Sequence, residues 1–409
     1  MATISVAAAD RRVSALILLV GFVVFLNYVD RGAIAIAAPL LKNELHLSAT
    51  RFGLAVSAFF WVYAPIQYIV GWLCDRFCVY RALAVGLAIW ALSTFLTGFI
   101  GGLASLVILR VFLGLGESVT FPAGSKIIAR HVPTEQRGYA NSLMAAGIAL
   151  GPALGTLAGG TITAFFGWRP MFWIFGLATL FWLVPWLLTA RELPAFGSRN
   201  SEPRVAAGKL LRQPAMWAMG IGHFTTTYGH YFILTWLPLF LVQSHGFTIS
   251  QMTLFATIAY LAQGAAAFFF GWLSDRWVRS GRSEAAVRRG MIAGSLAAMG
   301  LAILLLAFAT SPAAILSLLV FYGVGAAPCS INLYAIAQMF AGPRAAGSWI
   351  GVQNATGNLS GIIGPIITGM IIDATHSYWS AFILTATVCG AGALWFAFGV
   401  PKIEQVALD

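Results

Sequence analysis

Gly71-Trp72-Leu73-Cys74-Asp75-Arg76 returns 200 residues later as Gly271-Trp272-Leu273-Ser274-Asp275-Arg276. Each copy closes a long apolar run with an Asp-Arg pair, which suits a helix leaving a lipid core and entering water. Two further landmarks repeat in the same order: Pro39 is matched by Pro238, and Gly151-Pro152 by Gly364-Pro365. Three pairs in register imply a chain built of two similar halves.

The composition says what medium those halves occupy. Hydrophobic residues make up 59% of the 409 positions and charged residues 9%, with a mean hydropathy of +0.84, a balance that a water-exposed surface does not tolerate. Runs such as Val13 to Val29, Ala82 to Leu109 and Met291 to Phe308 reach the roughly 20 apolar residues that cross a bilayer. The pattern predicts about twelve spans, near residues 13–41, 50–75, 80–100, 103–129, 137–166, 168–190, 212–243, 249–275, 286–309, 311–340, 345–372 and 377–400. The predicted fold is therefore an all-α membrane protein of twelve transmembrane helices in two pseudo-symmetric six-helix bundles, residues 1–190 and 212–409. A polar segment at 191–211, containing Gly197 and Pro203, forms the expected cytoplasmic linker.

A net charge of +11 would raise nucleic acid as a partner in a soluble protein. Here the basic residues fall on one side: with both termini inside, the outer ends keep only Lys42, Arg51 and Arg169. That asymmetry follows the positive-inside rule, requires no nucleic acid, and predicts a multi-pass protein of a bacterial cytoplasmic membrane with cytoplasmic termini. The first apolar stretch runs beyond a signal-peptide core and into Asn27 and Asp30, so it reads as an uncleaved span. Cys74, Cys78, Cys329 and Cys389 lack the spacing of a metal site and read as packing residues. No metalloprotease, nucleophile-elbow or Walker motif is present, so an enzyme is not expected, no cofactor or metal is implied, and energy must come from an ion gradient.

Of 13 acidic residues, all but Asp30 and Glu117 fall at loops, termini or helix ends. Arg31 and Arg110 are the matching deep bases. Each such group at mid-bilayer costs at least about 2.5–3.5 kcal/mol on insertion scales, and a buried ion pair adds little stability over apolar packing, so function is the better motive. Arg110 and Glu117 are about 10 Å apart along one helical face, too far to pair without a third group, either Asp30 or a solute carboxylate. The expectation is one cavity shared by all four charges, in which Arg31 or Arg110 holds a carboxylate by its planar fork. Asp30 and Glu117 would exchange a proton there, because desolvation favours a neutral carboxyl and a nearby Arg the charged one. The second half has no deep charge, leaving His230, Tyr231, Tyr334, Gln353, Asn354 and Asn358 as polar candidates; His230 occupies the repeat position of Asp30. Gly147, Gly151, Gly155 and Gly159 share a helical face suited to close helix packing.

With these features in view, the chain resembles the major facilitator superfamily. The Gly-x-Leu-x-Asp-Arg pair, the Gly-Pro element and the six-plus-six layout carry that resemblance over essentially the whole length. Within it, Asn27-Tyr28-Val29-Asp30-Arg31 and Leu109-Arg110-Val111-Phe112-Leu113-Gly114-Leu115-Gly116-Glu117, followed by Phe121-Pro122-Ala123, resemble the anion:cation symporter family. That family includes bacterial galactonate, glucarate and hexuronate transporters and, more distantly, sialin and the vesicular glutamate carriers. The resemblance implies proton-coupled symport of a small organic anion, a sugar acid first of all, by a monomer. It assigns proton coupling to Asp30 and Glu117, solute binding to Arg31, Tyr28, Tyr63 and Asn354, and an inner gate to Asp75, Arg76, Asp275 and Arg276. Ile148 stands where galactonate-type members carry a Gln, and Tyr334 where they carry a Trp, which leaves room for another carboxylate. A proton-antiporting exporter of drugs or metabolites is the alternative, disfavoured by fixed positive charge in its cavity.

Overall fold

The computed structural model describes residues 2–132, 137–190 and 207–406. The side chains of 2–12, Tyr68, Trp72, Asp75, Arg76, Ala129, 137–139, Pro343 and Arg344 lie outside that description, as does the linker segment 191–206. Eleven helices among the described residues are long and apolar enough to span a bilayer. The first six are α1 (Val13–Glu44, the lipid-length part of a helix beginning at Ala2), α2 (Ala49–Arg76), α3 (Val79–Thr97), α4 (Leu103–Ile128), α5 (Arg137–Phe166) and α6 (Trp168–Ala190). The rest are α8 (Ile249–Arg279), α9 (Glu284–Leu306), α10 (Pro312–Gly342), α11 (Ala345–Thr375) and α12 (Trp379–Gly399). The twelfth span, α7 (Pro214–Leu239), carries a polar face of His223, Thr226, Thr227 and His230. That face lowers its hydropathy below the others, while its place in the repeat marks it as the counterpart of α1.

Local chemistry explains the breaks. Gly342 separates α10 from α11 because it takes φ 64°, ψ 176°, a left-handed conformation that glycine adopts at little cost. Pro122 lacks the N–H that would bond the carbonyl of Ser118, and α4 is correspondingly interrupted between Glu117 and Thr120. The matched helices α2 and α8 begin alike: Ser48 Oγ accepts from Arg51 N at 3.2 Å and Thr248 Oγ1 from Gln251 N at 3.2 Å, each satisfying an otherwise orphaned amide.

The glycine stripe of α5 lies against α1. A Cβ at Gly147 would stand 2.8 Å from Phe25 N, one at Gly151 2.5 Å from Tyr28 Cβ, and one at Gly155 2.8 Å from Val29 Cα. These three glycines therefore set the height and rotation of the α1 segment that carries Asp30 and Arg31. Gly159 meets Met171 and Phe175 of α6 as well as Ile36 of α1.

At the membrane face that carries Glu44 and Ala49 the two bundles close on one another. A Cβ at Gly53 of α2 would fall 2.1 Å from the Pro365 carbonyl oxygen of α11, and one at Gly369 2.5 Å from the Ala49 carbonyl oxygen. The Asp373 carboxylate accepts hydrogen bonds from Ala49 N and Thr50 N, each 2.8 Å. An anion from one bundle thus caps the positive end of a helix from the other. Glu44 makes a different contact at this face: it accepts from Arg169 at 2.7 Å and from Trp168 at 2.6 Å, both in its own bundle.

Candidate functional site

Between the bundles lies a cavity of about 1780 Å³ that runs from mid-membrane to the face bearing Cys74, Lys126 and Ser348. Tyr28, Arg31, Tyr63 and Gln67 line it from the first bundle, and His230, Tyr231, Tyr334 and Asn354 from the second.

Arg31 is the only mid-membrane Lys or Arg among the described residues of that wall. Its Nε donates to Glu117 Oε2 at 3.1 Å and its Nη2 to the Tyr63 hydroxyl at 2.9 Å. The guanidinium carbon also lies 5.0 Å from the ring centre of Tyr28 and 4.9 Å from that of Tyr63, where the negative faces of the rings attract it. Glu117 sits directly behind, its side chain fully buried, with Oε1 unpartnered among the described residues. A guanidinium that lines the cavity while bound to a dry carboxylate offers a second anion the same cation.

The other two deep charges lie elsewhere, which corrects the expectation of a single four-charge cavity. Asp30 points into the first bundle: Oδ2 accepts from Trp90 Nε1 at 2.5 Å and Thr179 Oγ1 at 3.2 Å, and Oδ1 has no hydrogen-bond partner among the described residues. Neighbours on a helix are about 100° apart, which lets Arg31 line the cavity while Asp30 turns toward Trp90 and Thr179. Arg110 does not line the cavity; its guanidinium carbon lies 5.0 Å from the ring centre of Phe59, and that ring stands 5.6 Å from Arg31. The Phe59 ring is thus shared by the two guanidinium groups, of which Arg31 is the one bonded to Glu117. Gln353 is likewise buried off the cavity, accepting from Trp349 Nε1 at 3.2 Å, while its neighbour Asn354 faces in.

The second bundle offers a connected neutral network. The Tyr231 hydroxyl donates to Asn358 Oδ1 at 2.6 Å, Asn358 Nδ2 donates to Asn354 Oδ1 at 3.1 Å, and the Tyr334 hydroxyl donates to the same oxygen at 3.3 Å. Asn354 Nδ2 then donates across the cavity to Gln67 Oε1. Gln67 and His223 line the cavity and were missed in the sequence; the available signal for Gln67 was its place one turn after Tyr63. His230 lines the wall beside Tyr231. Of the residues expected at an inner gate, Asp275 and Arg276 are exposed, with Arg276 over the Trp272 ring at 5.2 Å; the side chains of Asp75 and Arg76 lie outside the described residues.

Two related six-helix bundles around a polar vestibule that is closed at one membrane face and open at the other define a solute carrier. The Major Facilitator Superfamily profile matches residues 20–283 and 219–407, and the chain belongs to that superfamily; it is a multi-pass membrane transporter and not an enzyme. It is 31% identical over 407 residues to the probable sulfoacetate transporter SauU of Cupriavidus necator, covering 94% of this chain and 93% of the relative. It is 28% identical to the probable galactarate/D-glucarate transporter GarP of Escherichia coli, over 96% of each. Its fold is shared with a bacterial homologue of the human lysosomal transporter Spinster, at a TM-score of 0.76, 18% identity and 95% coverage of each chain.

Proposed function

We propose that the protein takes up a small organic anion together with a proton, sugar acids being the first class to test, as a monomer whose bundles 1–190 and 212–409 rock about the central cavity. The observation that carries this reading is the shared guanidinium: Arg31 faces the cavity while bonded to buried Glu117. A solute acid group seated on Arg31 and Tyr63 would draw the cation from Glu117. The carboxylate would be left unpaired in a dry bundle, a costly state that protonation relieves. Anion and proton are then bound together. The names of SauU and GarP point to acids of this kind, and Asp30, hydrogen-bonded to Trp90 and Thr179, supplies a second carboxyl to the relay. On the positive-inside rule the open face is cytoplasmic in a bacterial inner membrane, so the cavity faces inward and the exposed Asp275 and Arg276 belong to a gate that is undone in this state.

In proteoliposomes with an imposed pH gradient, Glu117→Gln should abolish uphill uptake while retaining part of solute counterflow. Uphill uptake at the native rate removes Glu117 from the mechanism.

A further inference from the structure

Gln67 has no charge to draw attention to it, yet inside the cavity it makes a polar contact between the two bundles. Its Oε1 accepts from Asn354 Nδ2. The orientation of the Asn354 amide is set by its surroundings: Oδ1 already receives the Tyr334 hydroxyl and Asn358 Nδ2, so Nδ2 must point at Gln67, and Gln67 must answer with its oxygen. The junction therefore presents one donor and one acceptor facing each other. Gln67 also lies one helical turn beyond Tyr63, about 6 Å along the axis of α2, and Tyr63 holds Arg31 at 2.9 Å.

We infer that Gln67 is a specificity-determining residue that, with Asn354, reads a hydroxyl group carried by the solute a few atoms from its acid group. The inference rests on the docking of that acid at Arg31. A hydroxyl entering the junction accepts from Asn354 Nδ2 and donates to Gln67 Oε1, so both amides stay satisfied. A methylene at the same place leaves a donor and an acceptor unpaired, and a carboxylate, which only accepts, faces the Gln67 oxygen with no proton to donate to it. Because the solute hydroxyl inserts into a contact between the bundles, binding also loosens a polar link that spans the cavity.

The test is a binding titration of the purified full-length protein with matched acids: glycerate against propionate, threonate against butyrate, and gluconate against hexanoate. At least one hydroxylated acid should bind about tenfold or more tightly than its deoxy partner. Gln67→Leu should erase that preference by weakening the hydroxylated acid while leaving the deoxy acid within about twofold, which also shows that the variant is folded. Gln67→Asn should fall between. Equal binding of both members of every pair by the native protein, or equal weakening of both in Gln67→Leu, overturns the inference. If acids bind without regard to hydroxyls and Arg31→Ala abolishes them all, the anion site stands and only the role of Gln67 falls.

Discussion

Asp373→Ala should swing the equilibrium between the two faces of the carrier without touching the solute site. Its carboxylate holds two amides of the α2 N-terminus at 2.8 Å each. Hydrogen bonds to a charged group contribute about 1.5–3 kcal/mol when shielded, but Asp373 is partly solvated and water can replace it when the face opens, so about 1.5–2 kcal/mol for the pair is the reasonable size. That is roughly a 10- to 30-fold change in the ratio of open to closed forms; a face open about 1% of the time would become open roughly a tenth to a quarter of the time. Spin labels at exposed Arg51 and Ser377, in a background without native cysteines, would report the distance between the bundles by double electron–electron resonance. Asp373→Asn keeps one acceptor and should shift the distribution about half as far in free energy. Glu44→Ala is the control, because that carboxylate binds only within its own bundle, and it should leave the distribution unchanged. A native distribution in Asp373→Ala, or an equal shift in Glu44→Ala, would refute the claim that the capping contact between bundles holds this face shut.

Two other substitutions probe the same architecture. Gly53→Ala places a methyl 2.1 Å from the Pro365 carbonyl oxygen; the closed face cannot accept it, and the same label pair should report opening by about 2 kcal/mol, the usual size of an overpacking penalty. Arg31→Lys keeps the charge but replaces a fork that holds Glu117 and Tyr63 at once with a single point donor; solute affinity in counterflow should drop about tenfold or more, and undiminished affinity would show that charge alone suffices.

What could be read from the chain depended on whether a feature repeats along it or requires knowing how a helix is turned. The span order and the α2 and α8 ends were legible because the Asp-Arg hexapeptide and the prolines recur in step. Even α7, more polar than the other spans, was placed at 212–243 and matched to the first span by Pro238. The deep charges were legible as residues and misplaced as a group. Asp30 and Arg31 are neighbours in sequence and about 100° apart on α1, and the choice of which faces the cavity is made by Gly147, Gly151 and Gly155 on another helix. The same quarter-turn separates Gln353 from Asn354. Gln67 escaped for a different reason: a lone amide in an apolar span costs little enough to pass as packing, and its meaning lies in Asn354, 287 residues further on.

The corrected geometry also changes where coupling must act. Had all four charges faced one vestibule, a solute could have neutralised any of them and the proton site would have been interchangeable. With Arg31 the one mid-membrane cation lining the cavity among the described residues, a solute acid group on the proposed mechanism would reach Glu117 only through the guanidinium they share, and Asp30 only through the first bundle's interior beside Trp90 and Thr179. The second bundle contributes neutral donors and acceptors, which on the same proposal would grip a solute without competing for the proton. On the proposed symport, solute identity would therefore be read mainly across the cavity by Asn354 and its neighbours, and the proton would be handled behind Arg31. That separation requires that changes at Tyr334 or Asn354 alter which acid is carried while leaving its dependence on the proton gradient intact.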